Sequence, residues 1–240
     1  MKFNSNNKSA LPFPKCWKEE NKPHKFDPGC GHGIVLKLLG QVIDELDIQE
    51  KTVLGWDIGC SLLAWDLFDI DAVQTHHGRT TSTIAGFKLS RPDSIAVAYM
   101  GDGGGYAIGL QNLLSAAQRN DKITVILINN ANYGMTGGQE APTTIPGQKT
   151  ATTPQGADEY YIKGPELIRT INNSAYVSRG TVKRPLELKK MIREAIEAQA
   201  NRFSFLEILS GCPVNWKTDA KGTLEFLGKL EEYYPVGKIT

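Results

Sequence analysis

With 240 residues, 40% hydrophobic and 22% charged, the chain holds enough material for one large α/β domain. Lys and Arg number 27 against 26 Asp and Glu, and the net charge of +1 excludes a broad field that would gather nucleic acid or an anionic membrane. No apolar run approaches the roughly 20 residues that span a bilayer, and the opening MKFNSNNKSALPFPKCWKEE lacks the apolar core of a signal peptide. The expectation is a cytoplasmic protein without nucleic-acid or membrane partners.

Residues 1–24 are polar, carry three prolines and show no apolar period, which reads as an extended arm ahead of a single domain at 25–240. From Gly33, the segment GIVLKLLGQVIDEL sets Ile34, Leu38, Val42 and Leu46 one helical turn apart, an amphipathic helix whose start points at the loop PGCGHG. Apolar, β-branched runs follow at Thr52–Ile58, Ser94–Met100, Ile123–Asn129, Tyr176–Arg179 and Phe203–Leu209, separated by helical patterns around 81–89, 107–119, 165–172 and 185–200. That alternation predicts an α/β fold, a parallel β-sheet with helices on both faces. The runs AVAYM and TVILI are apolar at nearly every position, as central strands covered on both sides must be. LEFLGKLEEYY near the end has helical spacing and is expected to pack on the same chain. Ligands of open parallel sheets bind where strands end, so the loops after Ile58, Met100, Ile128 and Leu209 carry the interest.

After AVAYM comes Gly101-Asp102-Gly103-Gly104-Gly105, then a helix, then TVILI ending in Asn129-Asn130. Glycines let a backbone approach a diphosphate, and a helix start offers unpaired N–H groups to it. An acid within that turn would repel phosphate unless a cation sat between them. Asp102 and Asn130 supply the hard oxygens that suit Mg²⁺. A lone G-D-G is an ordinary tight turn; G-D-G and N-N at successive strand ends together match the cofactor motif of the thiamine-diphosphate-binding fold.

The stretches DPGCGHG, IGCS, HHGRTTSTIAGFK, GDGGGYAIGLQNLLSAAQRND, NNANYGMTGGQ, APTT and CPVNW, in this order over about residues 26–217, resemble the β subunits of 2-oxoacid:ferredoxin oxidoreductases. The resemblance implies the thiamine-diphosphate-binding fold, with Asp102, the side chain of Asn130 and the backbone carbonyl of Asn132 as Mg²⁺ ligands. It places Gly103 and Gly104 of the G-D-G turn against the diphosphate, together with Thr136 of the loop Tyr133-Gly134-Met135-Thr136. Gly59, Cys60 and Ser61 lie by implication near the thiazolium. His77 and Arg79 lie near the substrate, Arg79 able to pair with a carboxylate and His77 to donate to a developing oxyanion; the bland alternative is a structural ion pair or a cap. His32, at a helix start, either touches cofactor or only closes the turn.

The resemblance further implies oxidative decarboxylation of a 2-oxoacid to acyl-CoA and CO₂ with electrons passed to ferredoxin, the acid being 2-oxoisovalerate-like before 2-oxoglutarate. It implies a heteromer: a pyrimidine-domain α subunit that brings the activating carboxylate, and a ferredoxin-like subunit. It also implies a [4Fe–4S] cluster on four cysteines, of which Cys30, Cys60 and Cys212 are present, while Asp27 stands where the first cysteine of the turn would be. Four outcomes stay open: an Asp27-ligated [4Fe–4S] cluster, a [3Fe–4S] cluster on three cysteines, recruitment of Cys16, or no cluster. Two other functions compete, a non-oxidative thiamine-dependent decarboxylase subunit and a non-catalytic assembly subunit.

Overall fold

A computed structural model describes residues 13–240. Seven strands form one sheet in the order β2-β1-β3-β4-β6-β5-β7, all parallel except β7. The predicted runs become β1 (Thr52–Trp56), β3 (Ile95–Gly101), β4 (Thr124–Asn129), β5 (Tyr176–Thr181) and β6 (Ser204–Leu209). Two edge strands escaped the sequence reading. β2 (Asp71–Gln74) is mostly exposed and so lacks an apolar run, and β7 (Gly237–Lys238) is too short to have a pattern.

Alternate residues of the central strands feed two cores, as a sheet covered on both faces requires. Leu54, Val97, Tyr99, Ile126, Ile128, Leu206 and Ile208 face one side, under α1 (Gly31–Leu46), α5 (Pro185–Ala198) and α7 (Ala220–Tyr233), the last preceded by the short α6 (Pro213–Trp216). Val53, Ala96, Ala98, Val125, Leu127 and Phe205 face the other, under α2 (Thr80–Ser90), α3 (Leu110–Gln118) and α4 (Gly164–Ile171). Each fully buried Leu, Ile or Val contributes about 1.5–3 kcal/mol by leaving water, so these two cores hold the strand ends in place. The expected C-terminal helix is α7, and it buries Leu227 and Leu230 on this chain. No helix among the described residues is long and apolar enough to cross a membrane.

Residues 1–12 of the expected arm lie outside the described residues. The remainder of the arm joins the fold: Cys16 and Trp17 are buried, Trp17 pairs with Phe68, and Pro14 lies so close to Gly40 of α1 that a side chain there would collide. A segment with no apolar period can still supply two anchors, and the polar residues around Cys16 and Trp17 hid them. Cys16 packs against α1 with its Sγ donating to the Gly40 carbonyl at 3.5 Å, and burial raises its thiol pKa far above the ordinary value.

Candidate active site

β1, β3 and β4 are neighbours in the sheet, so the loops leaving their carboxyl ends meet. They enclose a cleft of about 600 Å³. Its walls include Gly59, Cys60 and Ser61 after β1, Asp102, Gly103 and Gly104 after β3, and Asn130, Asn132, Tyr133, Gly134, Met135 and Thr136 after β4. His77 and His32 complete it. Of the residues expected at this site, Arg79 is not brought in: it precedes α2 with its side chain exposed and does not line the cleft.

Asp102 is buried at the floor. Its Oδ2 accepts from the Thr143 hydroxyl at 2.5 Å and its Oδ1 from the Gly103 N–H at 2.8 Å. Burial pushes its carboxyl up to about 7, against the pull of those two donors. A carboxylate removed from water, with no cationic side chain among the described residues bonded to it, is a fitting receptor for a metal ion. Across from it, Ala131 adopts a left-handed backbone (φ 54°), which turns the chain sharply between Asn130 and Asn132. The Asn132 side chain donates to the Asn130 carbonyl at 2.8 Å, and the Trp216 indole donates to the same carbonyl at 3.1 Å. Thr143 had no role in the sequence reading; APTT was visible, but nothing in it announces a bond to Asp102.

Two glycines are required by contact. A Cβ at Gly103 would lie 2.0 Å from the Tyr133 ring, and one at Gly104 would lie 1.8 Å from Oδ2 of Asp57. The run after β3 therefore lets Tyr133 and Asp57 close on the turn. The hydroxyl of Ser61 is buried without a partner among the described residues, a polar group left for a ligand. The loop from Tyr133 is closed by its pairing with Gln139, and the Thr136 hydroxyl donates to Gln139 Oε1 at 2.6 Å.

Asp57 is a second residue that sequence reasoning missed. It follows β1, is fully buried, and its Oδ1 accepts from the Gly78 N–H at 2.7 Å and the Thr80 hydroxyl at 3.2 Å, while His77 Nδ1 lies 3.2 Å from its Oδ2. Burial raises its carboxyl pKa, opposed by these donors. His32 stacks on Phe26 with ring centroids 5.0 Å apart, and its Nδ1 lies 2.9 Å from the Tyr99 hydroxyl. Burial lowers its pKa to about 3, so it faces the cleft as neutral imidazole.

A second cleft of about 800 Å³ shares His32, Cys60, Asn130, Gly134 and Met135 with the first. Asp27, Cys30, Cys60 and Cys212 all line it, and Cys16 does not. The cysteines are free thiols. Burial raises Cys30 to about 11 and Cys60 to about 12. Asn215 donates to Sγ of Cys212 at 3.3 Å and to the Gly134 carbonyl at 2.9 Å, tying this cleft to the first. Among the described residues, no three His, Cys, Asp or Glu side chains are gathered tightly enough to hold a single metal ion.

The family of thiamine pyrophosphate enzymes, C-terminal TPP binding domain, matches residues 57–208, which contain the β1, β3 and β4 loops. The ketoisovalerate oxidoreductase subunit VorA of Methanothermobacter thermautotrophicus is 38% identical over 87% of this chain, and the 2-oxoglutarate synthase subunit KorB of Methanocaldococcus jannaschii is 36% identical over 84%. This chain belongs to the β subunits of the 2-oxoacid:ferredoxin oxidoreductases. The aligned part spans 46% of the length of that VorA relative and 74% of that KorB relative. Among solved structures, the 2-oxoglutarate:ferredoxin oxidoreductase from Magnetococcus marinus, with 2-oxoglutarate, coenzyme A and succinyl-CoA bound, superimposes with a TM-score of 0.78 at 31% identity. The match covers 87% of this chain and 70% of that one. For this family member the fold is thus the thiamine-diphosphate-binding one, and the loops after β1, β3 and β4 fall within the matched domain.

Proposed function

We propose that this chain is the thiamine-diphosphate-binding subunit of a cytoplasmic 2-oxoacid:ferredoxin oxidoreductase, which converts a 2-oxoacid and coenzyme A to acyl-CoA and CO₂ and passes electrons to ferredoxin. The observation that carries the reading is the buried, cation-lacking carboxylate of Asp102 facing the Asn130-Ala131-Asn132 turn across a glycine-walled cleft. Mg²⁺ held by Asp102, the Asn130 side chain and the Asn132 carbonyl would supply the missing positive charge, and Gly103, Gly104 and Thr136 would receive the diphosphate. Bound there, thiamine diphosphate supplies an electron sink for the carbon that loses CO₂. The chain's own contribution is placement, exclusion of water by Tyr133 and Met135, and a polar edge from His77 and Ser61 toward the reacting end. Arg79, exposed on this chain, would meet the substrate carboxylate only where a partner subunit closes over it.

The second cleft suits an iron–sulfur cluster, since three soft thiols from three separate loops face it and share a wall with the thiamine cleft. Cys30, Cys60 and Cys212 would be its ligands, with Asp27 at the fourth corner of a [4Fe–4S] cluster, or with none in a [3Fe–4S] one. The partners are a pyrimidine-domain α subunit, which brings the carboxylate that activates the cofactor, a ferredoxin-like subunit and an external ferredoxin. The substrate read from the sequence is 2-oxoisovalerate or a like branched acid before 2-oxoglutarate; VorA and KorB relatives match this chain equally at 38% identity, so turnover decides between the two.

The test is anaerobic co-purification of the chain with its partner subunits, followed by thiamine diphosphate and iron measurement. Coenzyme A-dependent ferredoxin reduction is then compared with 2-oxoisovalerate and 2-oxoglutarate. Bound thiamine, turnover of a 2-oxoacid, and iron lost from this subunit in Cys30→Ala are the expected results. Thiamine with decarboxylation but no electron transfer would replace this reading with a non-oxidative decarboxylase subunit.

A further inference from the structure

Asp57 sits where it does two jobs that pull apart on inspection of its two oxygens. Oδ1 faces backbone and hydroxyl donors, Gly78 N–H at 2.7 Å and Thr80 Oγ1 at 3.2 Å, which fix the turn leading into α2. Oδ2 faces only His77 Nδ1, at 3.2 Å. The side chain is wholly buried, so water does not share the carboxylate. His77 keeps about a third of its side chain exposed and lines the cofactor cleft. With Nδ1 turned to Asp57, Nε2 is the ring nitrogen left for the cleft.

From this arrangement we infer that Asp57 is a positioning residue which locks His77 in the Nδ1–H tautomer, so that neutral His77 offers the reacting end of the cleft a proton acceptor at Nε2. A carboxylate only accepts, so the ring nitrogen facing it must carry the hydrogen, and the other nitrogen then carries the lone pair. His77 therefore takes a proton from a hydroxyl or thiol brought to it. It becomes a donor only after protonation, and the buried carboxylate then balances the imidazolium charge. This revises the simple expectation of His77 as a standing donor to an oxyanion. The GDGGG run is part of the device, because the Asp57 carboxylate occupies the space a Cβ of Gly104 would need. The functional half of this inference rests on the proposed function above, and the tautomer half does not.

Asp57→Asn is an unusually directed test, because the neighbours dictate how the amide sits. Gly78 N–H requires an oxygen at the Oδ1 position, so the NH₂ group must take the Oδ2 position and donate to Nδ1 of His77. That forces the Nε2–H tautomer and turns the cleft-facing nitrogen into a donor. Four histidines occur in the chain. Labelling this subunit alone with ¹⁵N-histidine in the assembled complex, with His77→Gln for assignment, reads each ring nitrogen directly. The expected native signal is Nδ1–H with an unprotonated Nε2, inverted in Asp57→Asn. An Nε2–H signal in the native complex overturns the inference, and needs no variant to fold.

Turnover supplies the second arm. Asp57→Asn is expected to lower kcat by roughly 100-fold with the 2-oxoacid KM within about twofold, and to cost little more in a His77→Gln background, since it acts through that ring. Equal losses in both backgrounds, at unchanged thiamine content, would mean that Asp57 only builds the turn, and would sink its role through His77. A complex that shows the native tautomer but turns over no 2-oxoacid would instead defeat the proposed function and leave the tautomer assignment standing.

Discussion

The cleft proposed for thiamine diphosphate and the cysteine cleft share five wall residues but are built in opposite ways. The first is set by backbone. Its key carboxylate comes from a residue at the end of a fully covered strand, and Thr143 and Gly103 hold both of its oxygens before any ligand arrives. The second is set by side chains from loops after Phe26, Ile58 and Gly211, with single amides donating to its thiols, the His32 N–H to Cys30 and the Asn215 side chain to Cys212. Ordered donors on rigid strand ends make a site that exists in advance of its ligand; loop thiols make one that the ligand itself must complete.

Asp102→Asn should break the first cleft most severely, lowering Mg²⁺-dependent thiamine diphosphate retention by at least about 100-fold, since even outer partners of a metal ligand cost 10- to 100-fold. Calorimetric titration of the complex reads it, and retention near the native value would show that the carboxylate is structural. Thr143→Val should cost about tenfold in Mg²⁺ affinity through the loss of one bond to Asp102, while leaving iron content untouched. In the second cleft, Asp27→Cys should raise the iron found per chain and convert any three-iron electron paramagnetic resonance signal to a four-iron one, with thiamine content unchanged. The smallest effect belongs to Glu166, which lines neither cleft. Although burial alone would raise its carboxyl, its bonds to Arg179 at 2.7 and 2.8 Å hold it below the ordinary value of 4.5. A lowered folded-state pKa stabilises above the unfolded value and fades as pH falls through the folded one. The melting-temperature gap between native protein and Glu166→Gln should therefore be full above about pH 4.5 and shrink in more acid solution.

The sheet was legible where burial wrote it. AVAYM and TVILI serve two cores at once, and no other structure suits a run with no polar face. β2 was not, because an exposed edge strand reading Asp-Ala-Val-Gln has no pattern to find. In the site, Asp102, Asn130 and the glycines stood out because each falls in a short local pattern, G-D-G-G-G or N-N, directly after an apolar strand run. Asp57 and Thr143 did not, because their meaning lies in contacts made 20 and 41 positions away. An aspartate after a strand and a threonine in a loop are commonplace until the partner is known. Arg79 shows the reverse: the His77-Gly78-Arg79 motif suggested one joint role, yet the turn sends its first residue into the cleft and its last to the surface.

Tyr234, one residue beyond α7, gives the far end of the chain a hand in the chemistry. Its hydroxyl donates to the Thr143 carbonyl at 2.8 Å, while the same threonine's hydroxyl holds Asp102. A protease that clipped the tail just ahead of Tyr234 would touch neither a cofactor ligand nor a strand at the centre of the sheet. It would nonetheless free the loop that steadies the Asp102 carboxylate, so under the proposed function wear near Tyr234 would surface as loss of cofactor before loss of fold.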